Sequence, residues 1–517
     1  MDEQTSVLIT GGSLTGLSTA VFLAHRGVDC VLVERHAGTS IHPRFRAMSP
    51  RTMEIYSAVG LAEALIAISE PAKGVMAWGR SLADPALQLA GRAQILLDEP
   101  HHPPSPAGLL AADQDRFEPV LRDHAEALGA SLRFGAELTG FAQDPGGVTA
   151  TVRDRATGSV TTIRADHLIG ADGPRSSVRE GLGIGMSGHG SFSRRVSIVF
   201  RADLTEVLGG RELIGCFFPA HEAFLSARDA GRWQLTLPFR PERGESAADF
   251  TATRCRDAIR ELTGIPGLEP DVLSTLPWND TEALADRFGD GRVLLAGDAA
   301  HTTGPWTGMA GNIGVQDAHD LAWKLAAVHD GTAGPGLLET YGAERRPVAK
   351  AFVSLSSRRR AAQLTGMRAT FADGLPQESL SFLYGCYDYA GDGLVDPYTY
   401  IGRPGLRAPH VVLVRHGEEI STLDLFGGWV LLSGPDGGAW CTAAREASEA
   451  LGIPLGAHHV GKDLLDPDDR WHTAYGVARD GAVIVRPDGF IGWSAPEGAA
   501  PTAAEVRAAL SLLCARA

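Results

Sequence analysis

The chain has 517 residues, 44% hydrophobic and 21% charged, an ordinary balance for a globular protein with room for two or three domains. Its net charge of −15 argues against nucleic acid and anionic membrane surfaces as partners. No window reaches the apolar length of a membrane span, the N-terminus carries no signal-peptide pattern, and the six scattered cysteines form no CxxC or zinc spacing, so a cytoplasmic protein with reduced structural thiols is expected.

In chain order, Ser6 to Thr10 predicts a buried strand, Gly11 to Gly16 a tight turn, Leu17 to His25 an apolar helix, and Val28 to Val33 a second strand running into Glu34. This is a βαβ unit of dinucleotide-binding pattern. Helix-start amides would hold a pyrophosphate, and Glu34 would accept hydrogen bonds from ribose hydroxyls. The candidate binding residues are Gly11, Ser13, Leu14, Thr15, Gly16 and Glu34, with Arg35 beside the adenine. Ser13 replaces the middle glycine of the pattern; its Cβ crowds the phosphates slightly, and its hydroxyl offers them a hydrogen bond. The pair His101-His102, followed by two prolines, reads as a rigid loop rather than a metal site, because no further ligand cluster accompanies it.

Further along, Arg164 to Ile169 predicts a strand with Asp172 and Gly173 at its carboxyl end, where doubly wound sheets bind ligands, and Arg175 to Arg179 a short basic helix. A literal GxGxxG from Gly183 to Gly188 follows no strand and leads into one, so it reads as a loop. Gly74 to Trp78, Gln88 to Leu97, Val196 to Asp203, Leu213 to Phe218 and Trp233 to Phe239 alternate like strands of one covering sheet. On it, Met76, Trp78, Phe218, Trp233 and Leu235 either pack as core or line an apolar pocket; alternation leaves both open. Arg292 to Ala296 predicts another strand, followed by Asp298, a carboxylate that can accept hydrogen bonds from the hydroxyls of a ribityl chain. The turn holding Pro305, Gly308, Ala310, Gly311 and Asn312 leads into a helix from about Ile313 to Val328, whose positive end suits the flavin edge that becomes negative on reduction. After a break near 391–409, Val411 to Val414 and Trp429 to Leu432 read as strands, Ala482 to Val485 and Phe490 to Trp493 as a hairpin, and Thr502 as the cap of a terminal helix.

Three signatures far apart in the chain carry a family resemblance: Gly11 to Gly16, Gly170-Ala171-Asp172-Gly173-Pro174, and Gly297-Asp298-Ala299-Ala300-His301 with the stretch from Gln316 to Leu325. With them the chain resembles the class A flavoprotein monooxygenases, the para-hydroxybenzoate hydroxylase family, and most of all its aromatic polyketide hydroxylases. His42 to Ala47, with Arg44 and Arg46, is similar to the segment contacting FAD, and Asp113 to Glu118 to the segment whose glutamine, here Gln114, sits by the flavin. The resemblance implies an α/β fold. A Rossmann-like FAD-binding domain would occupy 1–73, 104–181 and 276–390, with an interleaved β-sheet substrate domain at 74–103 and 182–275. A thioredoxin-like domain at 400–517 would lack CxxC and serve a structural or homodimer-contact role.

The same resemblance puts Gly297 and Asp298 on FAD, and Asp172 and Arg46 near the route of NADPH or NADH, a transient reductant. It implies an FAD-dependent monooxygenase that uses O2 and hydroxylates an aromatic, polycyclic polyketide or phenolic substrate through a flavin C4a-hydroperoxide. Baeyer–Villiger or epoxidising chemistry and a non-catalytic flavin- or intermediate-binding role stand as alternatives. The lysine and W-x-W-x-I-P setting of flavin halogenases is missing. The family turn has the form P-P-x-G-G-x-G-x-N; here Gly304 replaces a proline, Thr307 and Ala310 replace glycines, and Trp306 either packs as core or walls the substrate cavity. No spacing singles out a catalytic base.

Overall fold

The computed structural model describes residues 3–71, 74–90, 103–364, 377–391 and 393–516. His101, His102 and the expected strand beyond Ala90 lie outside the described residues.

The first sheet is built on five parallel strands in the order Val293–Leu295, Val160–Gly170, Glu3–Thr10, Cys30–Glu34, Ser131–Phe134. Strand Glu3–Thr10 lies at its centre because Val7, Leu8 and Ile9 are apolar in succession and buried on both faces. Helices Leu14–His25 and Ala310–His329 pack on this sheet through Leu17, Val21, Ala318 and Leu325 in one core. The second helix begins one turn before the expected start, since Ala310 and Gly311 accept helical backbone.

The second sheet has eight strands in the order His301–Thr302, Asp271–Ala285, Met186–Arg201, Arg232–Phe239, Ala223–Ala227, Leu213–Phe218, Val75–Trp78, Gln88–Ala90. The Gly183 to Gly188 segment runs into strand Met186–Arg201, with no helix after it. Strand Asp271–Ala285 belongs to this sheet along its whole length, so the expected domain boundary at 275/276 falls inside a strand. Ile198, Phe200 and Leu235 face helix Ala252–Thr263 and join Cys255, Ile259 and Leu262 in a second core.

The C-terminal region has thioredoxin-like order. Strands Trp429–Ser433 and Leu455–His459 are parallel and joined by helix Ala439–Leu451; strands Ala482–Val485 and Ile491–Ser494 run antiparallel beside them, and helix Ala503–Leu513 closes the core. All six cysteines are buried and unpaired. No helix among the described residues is long and apolar enough to cross a membrane.

The turn of the last hairpin docks this region on the first. Trp323 Nε1 donates to Asp488 Oδ2 at 3.2 Å, and Trp323 meets Trp429 edge to face. Arg486 pairs with Glu344 at 2.6 Å, and Lys324 bridges Asp320 at 2.9 Å and Glu344 at 2.7 Å. Burial by itself pushes the Asp488 and Glu344 carboxyls up, but the adjacent Arg486 reverses this and holds both below the usual range. Their stabilising contribution is therefore full above the unfolded carboxylate value near pH 4 and is lost as pH falls through the depressed folded values. Arg486→Leu should cost about 3–5 kcal/mol near neutral pH by stranding buried carboxylates. Thermal unfolding across a pH series should show the gap from wild type narrowing below about pH 4; a gap independent of pH would reject the pairing.

Candidate functional site

A single cavity of about 2860 Å³ runs from the Gly11–Ser13 turn to the second sheet. Two helices begin on it. Helix Leu14–His25 starts after Ser13, whose side chain makes no capping bond, and helix Ala310–His329 starts after Met309, also without a side-chain cap and without an acid in its first turn. Both positive helix ends thus meet the cavity with side-chain acceptors lacking, the arrangement an anionic ligand fits. The first turn depends on glycine: a Cβ on Gly16 would stand 1.8 Å from the Gly11 carbonyl oxygen, and Gly11 itself has φ +105°.

Glu34, at the end of its strand, accepts from the backbone N–H of Gly12 at 2.6 Å and of His36 at 2.8 Å, so its carboxylate stands beside the turn. Leu14, Thr15, Arg35, Arg44 and Gly173 line the same cavity, as do Pro305, Gly308, Ala310 and Gly311. Asp172 Oδ2 accepts from Ser177 Oγ at 3.1 Å and Val178 N at 3.3 Å, while its buried Oδ1 has no hydrogen-bond partner among the described residues. Asp298 is exposed at the cavity wall; desolvation by the surrounding protein raises its carboxyl, against the pull of His301 and Arg44. Behind it, His301 Nε2 lies 2.6 Å from Asp317 Oδ2, and Asp317 accepts from Arg345 Nε at 2.8 Å and Gly297 N at 3.2 Å. This buried link joins the two halves of the third signature.

Several expected contacts are corrected. Ser13 Oγ donates to Glu118 Oε1 at 2.5 Å and accepts from Gln114 Nε2 at 3.0 Å, so its hydroxyl serves Glu118 instead of lying free for a phosphate. Gln114 lines the cavity but also accepts from Phe45 N at 3.0 Å. Gly16 and Gly297 sit behind the cavity wall. Asn312 does too: its side chain accepts from Ser49 N at 2.9 Å and Thr52 Oγ1 at 2.7 Å and donates to the Ala47 carbonyl at 2.9 Å, pinning segment 47–52 to the helix start. Arg46 lines the cavity, yet its guanidinium pairs with Asp113 at 3.1 Å and with Asp229. Asp113 and Asp229 exchange backbone N–H to carboxylate bonds of 2.7 and 2.8 Å, tying helix Gln114–Ala127 to the second sheet.

Among the apolar candidates, Met76, Trp233 and Trp306 line the cavity, and Phe218 borders it while fully buried in the core on the helix side. Trp78 does not: it stacks on Phe217 at 5.8 Å. Leu235 belongs to the helix-side core. The register explains this, because Ile198 opposes Leu235 on one face while Ser197 opposes Thr236 on the other. The cavity face of this strand pair carries a polar cluster: Trp278 Nε1 donates to Ser197 Oγ at 3.0 Å, and Gln234 Nε2 to Ser197 Oγ at 3.2 Å and Thr236 Oγ1 at 3.3 Å.

Motif reading missed this hydroxyl wall and Glu118. Glu118 is fully buried and accepts from Ser40 N at 2.7 Å; its i,i+4 spacing from Gln114 on one helix was the available signal. Burial pushes its carboxyl up, against hydrogen bonds from Ser13, Ser40 and Gln114.

Residues 4–356 match the family described as FAD binding domain, and residues 402–517 the family described as aromatic-ring hydroxylase, C-terminal. The chain belongs to the flavin-dependent aromatic-ring hydroxylases of the class A monooxygenase family. Within it, the chain is 40% identical to tetracenomycin A2 monooxygenase-dioxygenase of Streptomyces glaucescens over 99% of this chain and 97% of that protein. It is 38% identical to aklavinone 12-hydroxylase RdmE of Streptomyces purpurascens over 97% of each. The crystal structure of a ternary complex of aklavinone-11 hydroxylase with FAD and aklavinone matches with a TM-score of 0.90 and 36% identity, covering 100% of both chains.

Gly16→Ala should yield folded protein with little FAD, read from the flavin-to-protein absorbance ratio; full flavin content would refute the tight-turn argument. As pH falls through the raised Asp298 value, the carboxylate is lost as an acceptor, so FAD affinity should weaken. Asp298→Asn should flatten that dependence in a fluorescence titration.

Proposed function

We propose that this protein is a monooxygenase that consumes NAD(P)H and O2 to hydroxylate a flat, oxygenated aromatic substrate, of polyketide type. The observation that carries the reading is the two-part cavity. Its volume of about 2860 Å³ is several times the roughly 300–1,000 Å³ of a single small-molecule site, so a dinucleotide and a second sizeable ligand fit together. The first part offers two uncapped helix starts and three carboxylates, Glu34, Asp172 and Asp298, for FAD. The second offers the hydrogen-bonding wall of Ser197, Gln234 and Thr236, which suits ring hydroxyls and carbonyls.

Bound FAD supplies the redox chemistry: it takes two electrons from NAD(P)H and activates O2 for transfer of one oxygen atom to an electron-rich ring. The chain's own residues bind and orient. Glu34 holds the adenosine ribose, the amides after Ser13 the pyrophosphate, and Asp298 the ribityl chain, while the start of helix Ala310–His329 stabilises negative charge on the flavin ring. The wall orients the substrate by its oxygens, and the enclosing sheet limits water. On this reading the protein works in the cytoplasm, where NAD(P)H is available. The relatives named for tetracenomycin and aklavinone support a fused-ring substrate.

The test is NADPH oxidation by the purified yellow protein with peroxide quantified, across fused-ring phenols and quinones under isotopically labelled oxygen. Stimulated oxidation, little peroxide and a product carrying one labelled oxygen on an intact ring are expected. Ring expansion would assign Baeyer–Villiger chemistry instead, and bound FAD with no ligand response would leave a non-catalytic binding role. Gln234→Leu should raise KM about 5–10-fold through the lost hydrogen bonds, with kcat changing less; an unaltered KM would remove Gln234 from the substrate wall.

A further inference from the structure

Where the two parts of the cavity meet lies a cluster that the cofactor cradle and the hydroxyl wall do not use. Trp306, on the turn before helix Ala310–His329, is half-buried and lines the cavity. Its indole Nε1 donates to Asp280 Oδ1 at 3.2 Å. The Arg195 guanidinium lies over the indole, 5.2 Å from the ring centroid, with its Nε 3.6 Å from Asp280 Oδ2. Arg195 is itself anchored, donating to the Glu222 carbonyl at 2.9 Å and to Ser193 Oγ at 3.2 Å. Asp280 is 1% exposed, and its Oδ2 has no hydrogen-bond partner among the described residues. A residue of the cofactor turn is thus held at one edge and one face by charged groups of the substrate sheet.

Gly304 belongs to the same feature. A Cβ there would stand 2.1 Å from Asp280 Oδ1 and 2.5 Å from Trp306 Nε1. The Trp306–Asp280 bond therefore requires glycine at 304, which accounts for the missing proline of the turn. An indole fixed at two points loses little further rotamer freedom when a ligand stacks on it. Stacking grows with overlap, so a fused-ring ligand gains more from a fixed indole than a single ring does.

We propose that Trp306 is a specificity-determining residue that favours fused-ring over single-ring substrates, with Asp280 and Arg195 as its positioning residues and Gly304 admitting the contact. The inference rests on the function proposed above and adds the side chain that makes the choice.

The test measures Kd for 1,4-dihydroxyanthraquinone and 4-methylcatechol by flavin absorbance titration of FAD-loaded wild type and variants, with flavin content checked first. Wild type should prefer the anthraquinone. Trp306→Ala should weaken anthraquinone binding about tenfold and catechol binding less than about twofold. Asp280→Leu and Gly304→Ala should each lower the same preference by displacing the indole, whereas Asp280→Asn, which keeps the acceptor oxygen, should retain most of it. If Trp306→Ala loses FAD, Asp280→Leu and Asp280→Asn carry the comparison. Equal weakening of both ligands, or an unchanged preference in flavin-loaded variants, would overturn the inference. A flavin-loaded wild type that binds neither probe and shows no stimulated NADPH oxidation across the wider panel would instead overturn the proposed function.

Discussion

Two helices start at one cavity with no side chain capping either of them, and the site is organised around that constraint. A helix start leaves backbone N–H groups in need of acceptors and concentrates positive potential within its first turn. Helices Leu14–His25 and Ala310–His329 both do this at the same space. The glycine turn lets the first helix begin directly at the end of its strand, and the His301–Asp317–Arg345 link fixes the segment bearing Asp298 against the second helix. Ligand acceptors are the natural complement of such an arrangement, and FAD carries them as phosphate and ring oxygens.

The remaining walls are held by long-range charge pairing. Asp113 and Asp229 are fully buried, which is tolerable because backbone N–H groups and Arg46, Arg228 and Arg232 surround them. The pairing sets the second sheet against helix Gln114–Ala127 and closes the cavity between them. Removing one partner would leave buried charge behind, so the geometry has little freedom to drift.

The helix that starts at the cavity is also gripped further along by the C-terminal region. Trp323, in its later turns, meets Asp488 and the Trp429 ring across the interface, and Lys324 beside it pairs with Glu344, which Arg486 reaches from the other side. Asp320, Glu344 and Asp488 stand close enough to resemble a cation site. Lys324 and Arg486 already supply the compensating charge, which makes the cluster a docking device. The thioredoxin-like region, which has no cysteine pair, thus contacts the helix whose first turn faces the cavity.

Much of the architecture was legible from local signals. Leu213–Phe218 and Ala482–Val485 have the bounds their alternation and apolar runs predict, and the βαβ unit follows from strand, glycine turn, helix and Glu34 together. The family signatures placed most candidate cofactor residues on one cavity. What local signals left open was which face of the second sheet meets the ligand. Alternation requires Leu235 and Thr236 to point opposite ways but says nothing about which side holds a helix and which a cavity. Pairings such as Ser13 with Glu118, 105 residues apart, and Asp113 with Asp229, 116 apart, carry no periodic trace at all. The sequence by itself determined the elements, their order and the cofactor signatures, because these rest on neighbours within a few residues. Only the tertiary structure decided the polar cluster on the cavity wall, the diversion of Ser13 and Asn312 to structural bonds, and the meeting of Trp306, Asp280 and Gly304, because those depend on distant segments competing for the same space and hydrogen bonds.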